Sequence, residues 1–344
     1  MLYLGVDIAK NSHVATLIDS QGKSLFKGFS FTNTTDGGES LLAKLCGYIG
    51  SPSDAEIGME ATGHYWLSLY SFLVGRGFVV YVINPIQTDG WRKGIEVRKR
   101  KTDKIDSFLI ADLLRYGDFV ETSLADENTM SLRNLTRFRH YLVSSIGDLK
   151  RKAICVLDQT FPEYQGVFSD TFGKTSSELL LHFQTADDFA SITAKQLEAA
   201  LSGVSMKSFA KTKLTHVSEL AASSFGLKFC RDSFSLQLRL LIEQIRFIEA
   251  QVSDVEVEIA ALLEKLDSPI TTIPGVGIVT GATILGEIGD ISRFSSPSKL
   301  VAFSGIDATV IQSGEVSGTY KMSKRGSPYL RKALFQAALV AIYT

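Results

Sequence analysis

Four acidic residues in the first third of the chain have the type and setting for metal-assisted chemistry. Asp7 interrupts the apolar stretch from Tyr3 to Val6, a stretch that is typical of a strand covered on both faces. Glu60 follows the short strand pattern from Glu56 to Met59. A carboxylate at the end of a buried strand requires a cation beside it. Both acids are therefore predicted metal ligands, with a solvated surface group or a helix cap as the alternative.

Asp103 and Asp106 form the second half of this acidic set. They lie three residues apart at the start of a predicted amphipathic helix, for which Thr102 is the expected N-cap. Residues at this spacing share a helix face, so the two side chains are predicted to point the same way. Two like charges on one face repel each other unless a positive charge lies between them.

The elements that would position these acids are predicted to form an α/β domain. The stretches from Tyr3 to Ile8, His13 to Ile18 and Ser24 to Phe31 predict three successive antiparallel strands. Helical and strand patterns then alternate, ending in a buried strand from Phe78 to Ile83. This order is typical of a ribonuclease-H-like sheet, with Asp7 in the first strand and Glu60 after the fourth.

A basic stretch immediately precedes the second acidic pair. Such a stretch is either a solvated surface or a strip that holds a phosphate backbone near a metal. Trp91 could stack on a base or belong to the core. The basic residues between positions 86 and 104 are Arg92, Lys93, Arg98, Lys99, Arg100, Lys101 and Lys104.

Composition narrows the class of protein. The 344 residues carry a formal net charge of −1, which excludes a globally basic nucleic-acid binder and requires any such surface to be local. The three cysteines form no C-x-x-C motif, so neither a disulfide framework nor a thiolate zinc site is predicted. No apolar run approaches the roughly 18 residues of a membrane span. We expect a soluble cytoplasmic protein.

The middle of the chain contains a predicted coiled coil. An earlier helical pattern, from Thr129 to about Leu157, is basic, with Arg133, Arg137, Arg139, Lys150, Arg151 and Lys152. The partner of the later helix is either this earlier helix or another subunit. Its apolar seam, spaced three and four alternately, is Leu238, Leu241, Ile245, Ile248, Val252, Val255, Ile259, Leu262 and Leu266.

The last part of the chain begins with a Pro-Gly-Val-Gly turn that opens a helix. This is typical of a helix-hairpin-helix, in which backbone N–H groups at Gly275 and Gly277 would contact a DNA phosphate, although simple loops share the pattern. A basic segment follows from Val316 onward, with Lys321, Lys324 and Arg325 as predicted nucleic-acid contacts, together with Arg331 and Lys332.

With the four acids, the Pro-Gly-Val-Gly turn and the motif Tyr320-Lys-Met-Ser-Lys-Arg-Gly-Ser-Pro-Tyr-Leu-Arg-Lys-Ala-Leu, the chain resembles the insertion sequence 110 family of transposases. These are DEDD recombinases with a RuvC-like domain, related to the pilin-gene invertase Piv. The resemblance is strong over residues 1–120 and 268–344. It implies a RuvC-like domain at 1–125, a helical coiled-coil region with an insertion at 126–267, and a mainly helical C-terminal transposase domain at 268–344.

The resemblance also implies a mechanism. Asp7, Glu60, Asp103 and Asp106 match the family's tetrad and would hold Mg²⁺. Ser313, in the loop expected after the Phe-x-Gly at Phe303, matches the nucleophile of a phosphoserine intermediate. The alternatives are a plain turn at this position, or Ser317 or Ser323 as the nucleophile. The family further implies a guide RNA and a homo-oligomer, either a dimer or a tetramer.

Two other functions stay open from the sequence. One is a RuvC-like junction nuclease that uses water, with Ser313 structural. The other is an inactive DNA-binding remnant of a decayed element, because the chain stops inside the apolar segment from Ala337 to Thr344, where the family normally continues. The C-terminal domain is therefore expected to be truncated.

Overall fold

Five strands form the sheet of the first part of the chain: β1 (Leu2–Asp7), β2 (Ser12–Ile18), β3 (Ser24–Thr32), β4 (Ala55–Glu60) and β5 (Val79–Ile83). β1, β2 and β3 pair antiparallel, whereas β4 pairs parallel with β1 and β5 pairs parallel with β4. The resulting order, β3-β2-β1-β4-β5, is the ribonuclease-H-like order that the sequence predicts.

The computed structural model describes residues 1–61, 63–95, 102–119, 126–202, 211–309, 312–313, 316–317 and 321–343. Only the backbone is described at residues 194, 211–214, 312–313 and 316–317. The chain divides into two compact units, Met1–Leu124 and Ala125–Thr344. The predicted division into three domains stays a prediction. Among the described residues, no helix has both the length and the apolar character that a membrane span requires.

Helices cover both faces of the sheet. On one face, Leu4 and Val6 pack with side chains of α1 (Thr35–Cys46) and α2 (Trp66–Val74) in a single apolar core. On the other face lies α4 (Asp103–Tyr116). It approaches β1 so closely that a Cβ at Gly5 would overlap the backbone of Ser107 and Ala111. Only glycine permits this contact, which fixes α4 against the centre of the sheet.

The basic stretch after β5 begins as a helix, which the sequence analysis does not predict. This helix, α3 (Pro85–Ile95), starts at a proline. Proline suits the first helical position because its fixed φ is already helical and the N–H it lacks would have no intrahelical partner there. The helix is anchored on α4, because Trp91 Nε1 donates a hydrogen bond to Asp112 Oδ2 at 3.3 Å and its ring packs beside Tyr116. Trp91 therefore has a packing role.

Two long antiparallel helices run through the second unit: α5 (Glu127–Thr160) and α10 (Arg231–Lys265). Ion pairs join Arg139 to Glu256 and Lys150 to Glu249. The two helices pack along each other, which supplies the partner within the same chain. Of the predicted seam residues, Leu238, Ile245 and Ile259 are fully buried, together with Ile242 and Leu263, and a supercoil stays a prediction.

The segment between the two long helices is a helical cluster. Its elements are α6 (Lys174–His182), α7 (Ala186–Ala190), α8 (Ala194–Ala200) and α9 (Lys211–Ala222). Three aromatic side chains, Phe161, Tyr164 and Phe189, lie at its centre and are fully buried. Burial raises the pKa of Tyr164 far above its ordinary value, and its hydroxyl hydrogen-bonds to Ser176. This cluster shares one apolar core with the two long helices, including Leu157 of α5 and Ile242 of α10.

The end of the chain is mainly helical, as the sequence predicts. It contains α11 (Ile278–Ile288), α12 (Pro297–Ser304), the short strands β6 (Gln312–Ser313) and β7 (Val316–Ser317), and α13 (Pro328–Tyr343). The core of this part includes Val276, Ile284, Ile288 and Leu330. The Pro-Gly-Val-Gly turn precedes α11, and Gly277 is its N-cap.

Candidate functional site

Asp7 and Glu60 lie side by side at the carboxyl ends of two parallel strands. The register of β1 and β4 pairs Leu2 with Ala55 and continues to Val6 with Met59, so Asp7 and Glu60 are next in line. Successive side chains alternate between the faces of a sheet. Both acids therefore share the face on which α4 packs, which we call the acid face.

The second acidic pair lies in the first turn of α4. The Thr102 side chain caps this helix by accepting a hydrogen bond from the backbone N–H of Ile105, as the sequence predicts. The two acids are in different environments, however. Asp106 is buried, with 7% of its side chain exposed, whereas Asp103, one turn closer to the helix start, is exposed. Of the pair, Asp106 reaches the interior.

Helix α3 contacts one of the two strand acids and one of the two acids in the first turn of α4. Thr88 Oγ1 donates a hydrogen bond to Glu60 Oε2 at 2.8 Å, and Arg92 Nη2 lies 3.0 Å from Asp106 Oδ1. Because Thr88 and Arg92 are four residues apart, they share one face of α3. A single helix face thus holds one acid from each half of the set.

The donor set has the chemistry that Mg²⁺ requires, because hard divalent cations prefer carboxylate oxygens. Asp7 and Glu60 share the acid face, and Asp106 lies on the helix that covers it. In the part of the chain that the structure describes, no three His, Cys, Asp or Glu side chains come close enough to hold a metal together. Asp106 instead has the guanidinium of Arg92 as a cationic partner. The residues fit the ion in the type of their donor atoms, and α3 contacts two of them.

The described part of the basic stretch after β5 is not the exposed basic strip that the sequence predicts. Arg92 is mostly buried against Asp106, with 19% of its side chain exposed. Lys93 is exposed and pairs with Asp89 at 2.6 Å. The other predicted contacts in this strip, Arg98, Lys99, Arg100 and Lys101, lie outside the described residues. Arg92 is buried because this part of the strip is helical, and one face of that helix packs against α4.

The predicted nucleophile, Ser313, lies in a two-stranded arm. We call residues 305–326 the serine arm. At its base, the backbone N–H of Lys324 donates to Gly305 O at 3.0 Å, and that of Ser323 donates to Asp307 O at 2.9 Å. Farther along, Ser313 pairs with Val316 in the ladder between β6 and β7. The loop expected from the sequence is thus an antiparallel ladder, and the side chain of Ser313 lies outside the described residues.

Two glycines close the base of the serine arm. A Cβ at Gly326 would overlap the carbonyl oxygen of Phe303, and one at Gly305 would meet the backbone N of Gly326 at 2.5 Å. Gly305 also has a left-handed φ of +69°, which favours glycine. The glycine of the Phe-x-Gly motif is therefore required where the two ends of the arm touch.

The competing serines have different settings. Ser317 lies in β7, across the ladder from Gln312. The hydroxyl of Ser323 is hydrogen-bonded to Asp307 Oδ1 at the base of the arm. A carboxylate can activate a serine hydroxyl or simply fix its position. Ser313 stays the predicted nucleophile.

The Pro-Gly-Val-Gly turn has one glycine with a packing role and one that is open. Gly275 has a φ of +82°, and a Cβ there would overlap the carbonyl oxygen of Ala337 in α13. Among the described residues, no atom lies within 4 Å of the equivalent position at Gly277. Of the two predicted phosphate contacts, Gly277 thus has the more accessible position. The three basic contacts near the serine arm, Lys321, Lys324 and Arg325, are all exposed.

One central residue is not identified from the sequence. Glu287 is buried and accepts hydrogen bonds from Arg137 Nε at 2.6 Å and Nη2 at 2.9 Å, and from Ser327 Oγ at 2.8 Å. These contacts join α5, α11 and the start of α13, and the carboxylate raises the pKa of Arg137. The available signal was a single acid within the apolar helix α11.

Most of the basic side chains that the sequence predicts on the surface of α5 form hydrogen bonds or ion pairs within the protein. Arg133 donates to the backbone oxygen of Gly286 at 2.7 Å. Its neighbours Arg137, Arg139, Lys150 and Arg151 have acidic partners within the same unit. Much of the charge on this helix therefore stabilises the protein itself.

Two family models match the chain. Residues 4–162 match a model described as the DEDD-type transposase of the IS110 group. Residues 267–344 match one described as the transposase IS116/IS110/IS902 family. The two matches cover both the acid residues and the serine arm.

Several proteins are similar along most of their length. The uncharacterized 44.8 kDa protein of insertion element IS116 from Streptomyces clavuligerus is 24% identical, over 99% of this chain and 84% of its own length. A pilin gene-inverting protein of Moraxella bovis is 24% identical, over 99% of this chain and 83% of its own. The IS1111A transposase of Coxiella burnetii is 23% identical, over 97% of this chain and 76% of its own length.

Among solved structures, T. thermophilus RuvC in complex with a Holliday junction substrate is 14% identical and covers 35% of this chain and 99% of its own, with a TM-score of 0.24. A likeness of that size carries no weight for fold or function. The two family models and the relatives agree with each other. They show that the chain belongs to the IS116/IS110/IS902 family of transposases.

Proposed function

We propose that this chain is the recombinase of an insertion sequence and that it exchanges DNA strands by phosphodiester transesterification. The observation that carries the proposal is the placement of Asp7 and Glu60 side by side at one sheet edge. Asp7 and Glu60 end adjacent parallel strands on the acid face, and Asp106 lies on the helix that packs on that face. Two carboxylates side by side on one face favour a cation between them.

Asp7, Glu60, Asp103 and Asp106 would hold one or two Mg²⁺ ions. When bound, the metal would polarise the scissile phosphate and neutralise the charge that develops during displacement. One contact of the protein would orient a metal ligand, and another would compete with the metal. Thr88 fixes Glu60 through a hydrogen bond, and Arg92 neutralises Asp106.

The serine arm would supply the nucleophile. The Oγ of Ser313 attacks the scissile phosphorus, a bond from phosphorus to a DNA oxygen breaks, and the departing hydroxyl takes up a proton. The phosphoserine keeps the energy of the phosphodiester, so a hydroxyl of a second DNA end can attack it and release the serine. A serine hydroxyl is a weak nucleophile at neutral pH and needs a base or a metal to activate it.

The nucleic acid would be held from both units. Near the serine arm, the exposed residues Lys321, Lys324 and Arg325 provide a local positive surface. The turn at Gly277 would contact a phosphate through backbone N–H groups, as the turn of a helix-hairpin-helix does. Arg98, Lys99, Arg100 and Lys101 would act next to the acids.

The protein would act in the cytoplasm as a dimer or tetramer with a guide RNA that selects the target. Support for the assembly is the chemistry itself, because strand exchange needs more than one cut end. Support for a guide is the family membership together with the near-neutral charge of the chain. Base pairing supplies sequence choice without a reading motif in the protein.

Strand exchange by the purified chain tests this function. Labelled DNA that carries a joined element end is incubated with a target duplex and Mg²⁺, with and without RNA transcribed from the flank of the element. We expect recombined product with RNA, and little without it. Cleavage without any joined product would instead support a nuclease that uses water, and no cleavage under any condition would contradict the proposal.

A further inference from the structure

A polar cavity of about 210 Å³ lies in the second unit, between α5, α11 and α13. Its volume is below the roughly 300–1,000 Å³ of pockets that hold a drug-sized molecule, so it suits a small group. One wall of the cavity follows directly after the Pro-Gly-Val-Gly turn, because Thr280 lies in the first turn of α11. The residues that determine its chemistry are Arg139, His140, Thr280, Tyr329, Lys332 and Gln336.

The lining of this cavity is basic. It includes Arg139, His140 and Lys332, and among the described residues no Asp or Glu contributes to it. The charge of Arg139 is balanced by Glu256 of α10, at 2.6 Å. Lys332 is exposed, and its described polar contact is with His140 Nδ1, at 3.3 Å. The charge of Lys332 therefore gives the cavity a positive potential.

His140 adds a hydrogen-bond donor to the charge of Lys332. A lysine ammonium can only donate, so Lys332 Nζ donates to His140 Nδ1, and the neutral ring must carry its proton on Nε2. Burial lowers the pKa of His140, and the charges of Lys332 and Arg139 lower it further. The side chain is nevertheless only partly buried, and Nε2 is not among the unpartnered polar atoms that the described residues close off from solvent. This N–H group is therefore accessible to a ligand.

The other polar groups of the lining divide into occupied and available hydroxyls. The hydroxyls of Thr136 and Thr283 donate to carbonyl oxygens of their own helices. The Thr280 hydroxyl and the Gln336 amide have no hydrogen-bond partner within the described structure. Donors from three helices thus line one small, positively charged cavity. A phosphate group, which is anionic and has several acceptor oxygens, matches this set of donors.

We propose that this cavity binds one backbone phosphate of DNA, with Lys332 Nζ, His140 Nε2 and the Thr280 hydroxyl as its donors. The source of the phosphate rests on the proposed function. The location supports it, because Gly277, the proposed phosphate contact of the turn, is the N-cap of the helix that carries Thr280. A DNA strand that contacts the turn can therefore contact the cavity next. The bound anion would also offset the repulsion between Lys332 and a protonated His140.

The protonation of His140 reports on an anion in the cavity. The pKa of His140 is measured by NMR in the full chain with ¹⁵N-labelled histidine rings, alone, with an element-junction DNA duplex, and with inorganic phosphate at equal ionic strength. We expect the duplex to raise this pKa, because a phosphate beside the ring favours the imidazolium. DNA should accordingly bind more tightly as the pH falls through the range in which His140 takes up its proton.

Two results of this titration would overturn the proposal. One is a pKa of His140 that the duplex leaves unchanged. The other is a rise with inorganic phosphate and none with the duplex, which would identify a site for a free anion. The groups that surround the ring are Lys332 and Tyr329 of α13 and the Arg139–Glu256 pair, with the Arg137–Glu287 pair beyond Tyr329 and uncharged residues from the lining part of α11.

Lys332→Gln separates the cavity from the rest of the DNA surface. In the free chain it should raise the pKa of His140, because the charge of Lys332 lowers that pKa. It should also remove most of the rise caused by the duplex and reduce the slope of log K against log salt by about 0.9, the value for one phosphate contact. Lys299→Gln, at an exposed lysine of α12 in the same unit, should leave the pKa of His140 and its response to the duplex unchanged.

These measurements distinguish a failure of the cavity from a failure of the proposed function. They need no cleavage, so a response of His140 to DNA that is lost in Lys332→Gln supports the site even if strand exchange fails. Thermal melts check that the variant is folded. If Lys332→Gln binds DNA with the salt dependence of wild type and His140 still responds to the duplex, the cavity is not a phosphate site and the proposed function stands.

Discussion

The acid face of the first unit and the serine arm of the second hold their proposed reactive groups in different ways. Asp7 and Glu60 sit at the ends of central strands, with α4 packed over them and α3 bonded to Glu60. Ser313 lies beyond the base of a two-stranded arm whose described contacts are backbone hydrogen bonds and two touching glycines. The first arrangement depends on side chains in a packed core, and the second depends on backbone geometry.

This difference has consequences for mutation. At the acid face, a carboxylate can be made neutral without changing the core, so chemistry should be lost while stability is kept. At the serine arm, a backbone change far from Ser313 should reduce activity by moving it. Variants in the two regions should therefore differ in whether activity and stability change together.

The largest effect is expected for Asp7→Asn. Loss of the charge should reduce DNA cleavage by roughly 100-fold or more, the scale seen when one charge-stabilising group is removed from an active site. The free energy of unfolding should stay within about 0.5 kcal/mol of wild type, because the substitution is isosteric and Asp7 is only half-buried. Cleavage rates in Mg²⁺ and denaturant melts measure the two quantities.

Asp118→Asn is the matched control, since Asp118 is an exposed acid of the same unit. It should cleave as wild type does. Normal activity in Asp7→Asn would remove Asp7 from the metal site and leave the acid face as a structural feature.

The next largest effect is expected for Gly326→Ala. The added methyl group would overlap the carbonyl oxygen of Phe303, so the base of the serine arm must shift, at a cost of about 1–3 kcal/mol. Strand exchange should fall about tenfold or more, while Mg²⁺-dependent binding at the acid face is unchanged. Exchange assays and melts of the second unit follow the two effects.

Gly147→Ala supplies the comparison, because Gly147 lies inside α5 and alanine is the better helix former. This variant should be as stable as wild type or slightly more so. If Gly326→Ala exchanges strands at the normal rate, the position of the arm does not control the reaction.

Glu287→Gln should destabilise the second unit without touching either reactive group. The buried carboxylate accepts two hydrogen bonds from Arg137, and a neutral amide cannot replace both, so we expect a loss of about 1–3 kcal/mol. Arg139 and Glu256 form a more exposed pair, and Glu256→Gln should cost less than about 1 kcal/mol. Urea titration of both variants measures the difference, and equal losses would contradict the assigned role of Glu287.

The smallest effect is expected for Arg92→Gln. The guanidinium lies 3.0 Å from Asp106 and would compete with a metal for that carboxylate. Its removal should lower the Mg²⁺ concentration that gives half-maximal cleavage by roughly two- to fivefold, because the metal no longer has to displace the guanidinium. Lys93→Gln, on the exposed side of α3, should have no effect. A higher Mg²⁺ requirement in Arg92→Gln would mean that Arg92 holds the acids in place.

The sheet and the acids of the first unit were predictable from local patterns. Apolar runs of strand length, each ended by a charge or a turn, locate β1 and β4 and place Asp7 and Glu60 at their ends. The cap at Thr102 is likewise a local signal. These features depend on residues close together in sequence, which a single sequence displays directly.

Contacts between distant elements were not predictable. The Arg92–Asp106 pair depends on how α3 packs against α4, and the Arg137–Glu287 pair depends on how α5 packs against α11. Similarly, burial on α10 extends to Ile242 and Leu263 because this helix packs against α6 and α11 as well as α5. A heptad pattern describes only one such partner.

The serine arm shows a third case. The motif located Ser313, but its segment is rich in glycine, serine and charged residues and carries no strand pattern. Its described ladder is held by backbone hydrogen bonds, which leave little trace in side-chain periodicity. The predicted loop was therefore wrong at β6 and β7, where residues 312–313 pair with 316–317.

The most direct test of the account is the search for a covalent bond between Ser313 and DNA. The purified chain is incubated with Mg²⁺, flank RNA and labelled element-junction DNA, resolved under denaturing conditions, and digested to locate the modified residue. The account predicts an adduct at Ser313 that is present in wild type and in Ser317→Ala and lost in Ser313→Ala. Cleaved DNA with no adduct, or an adduct at another residue, would contradict it.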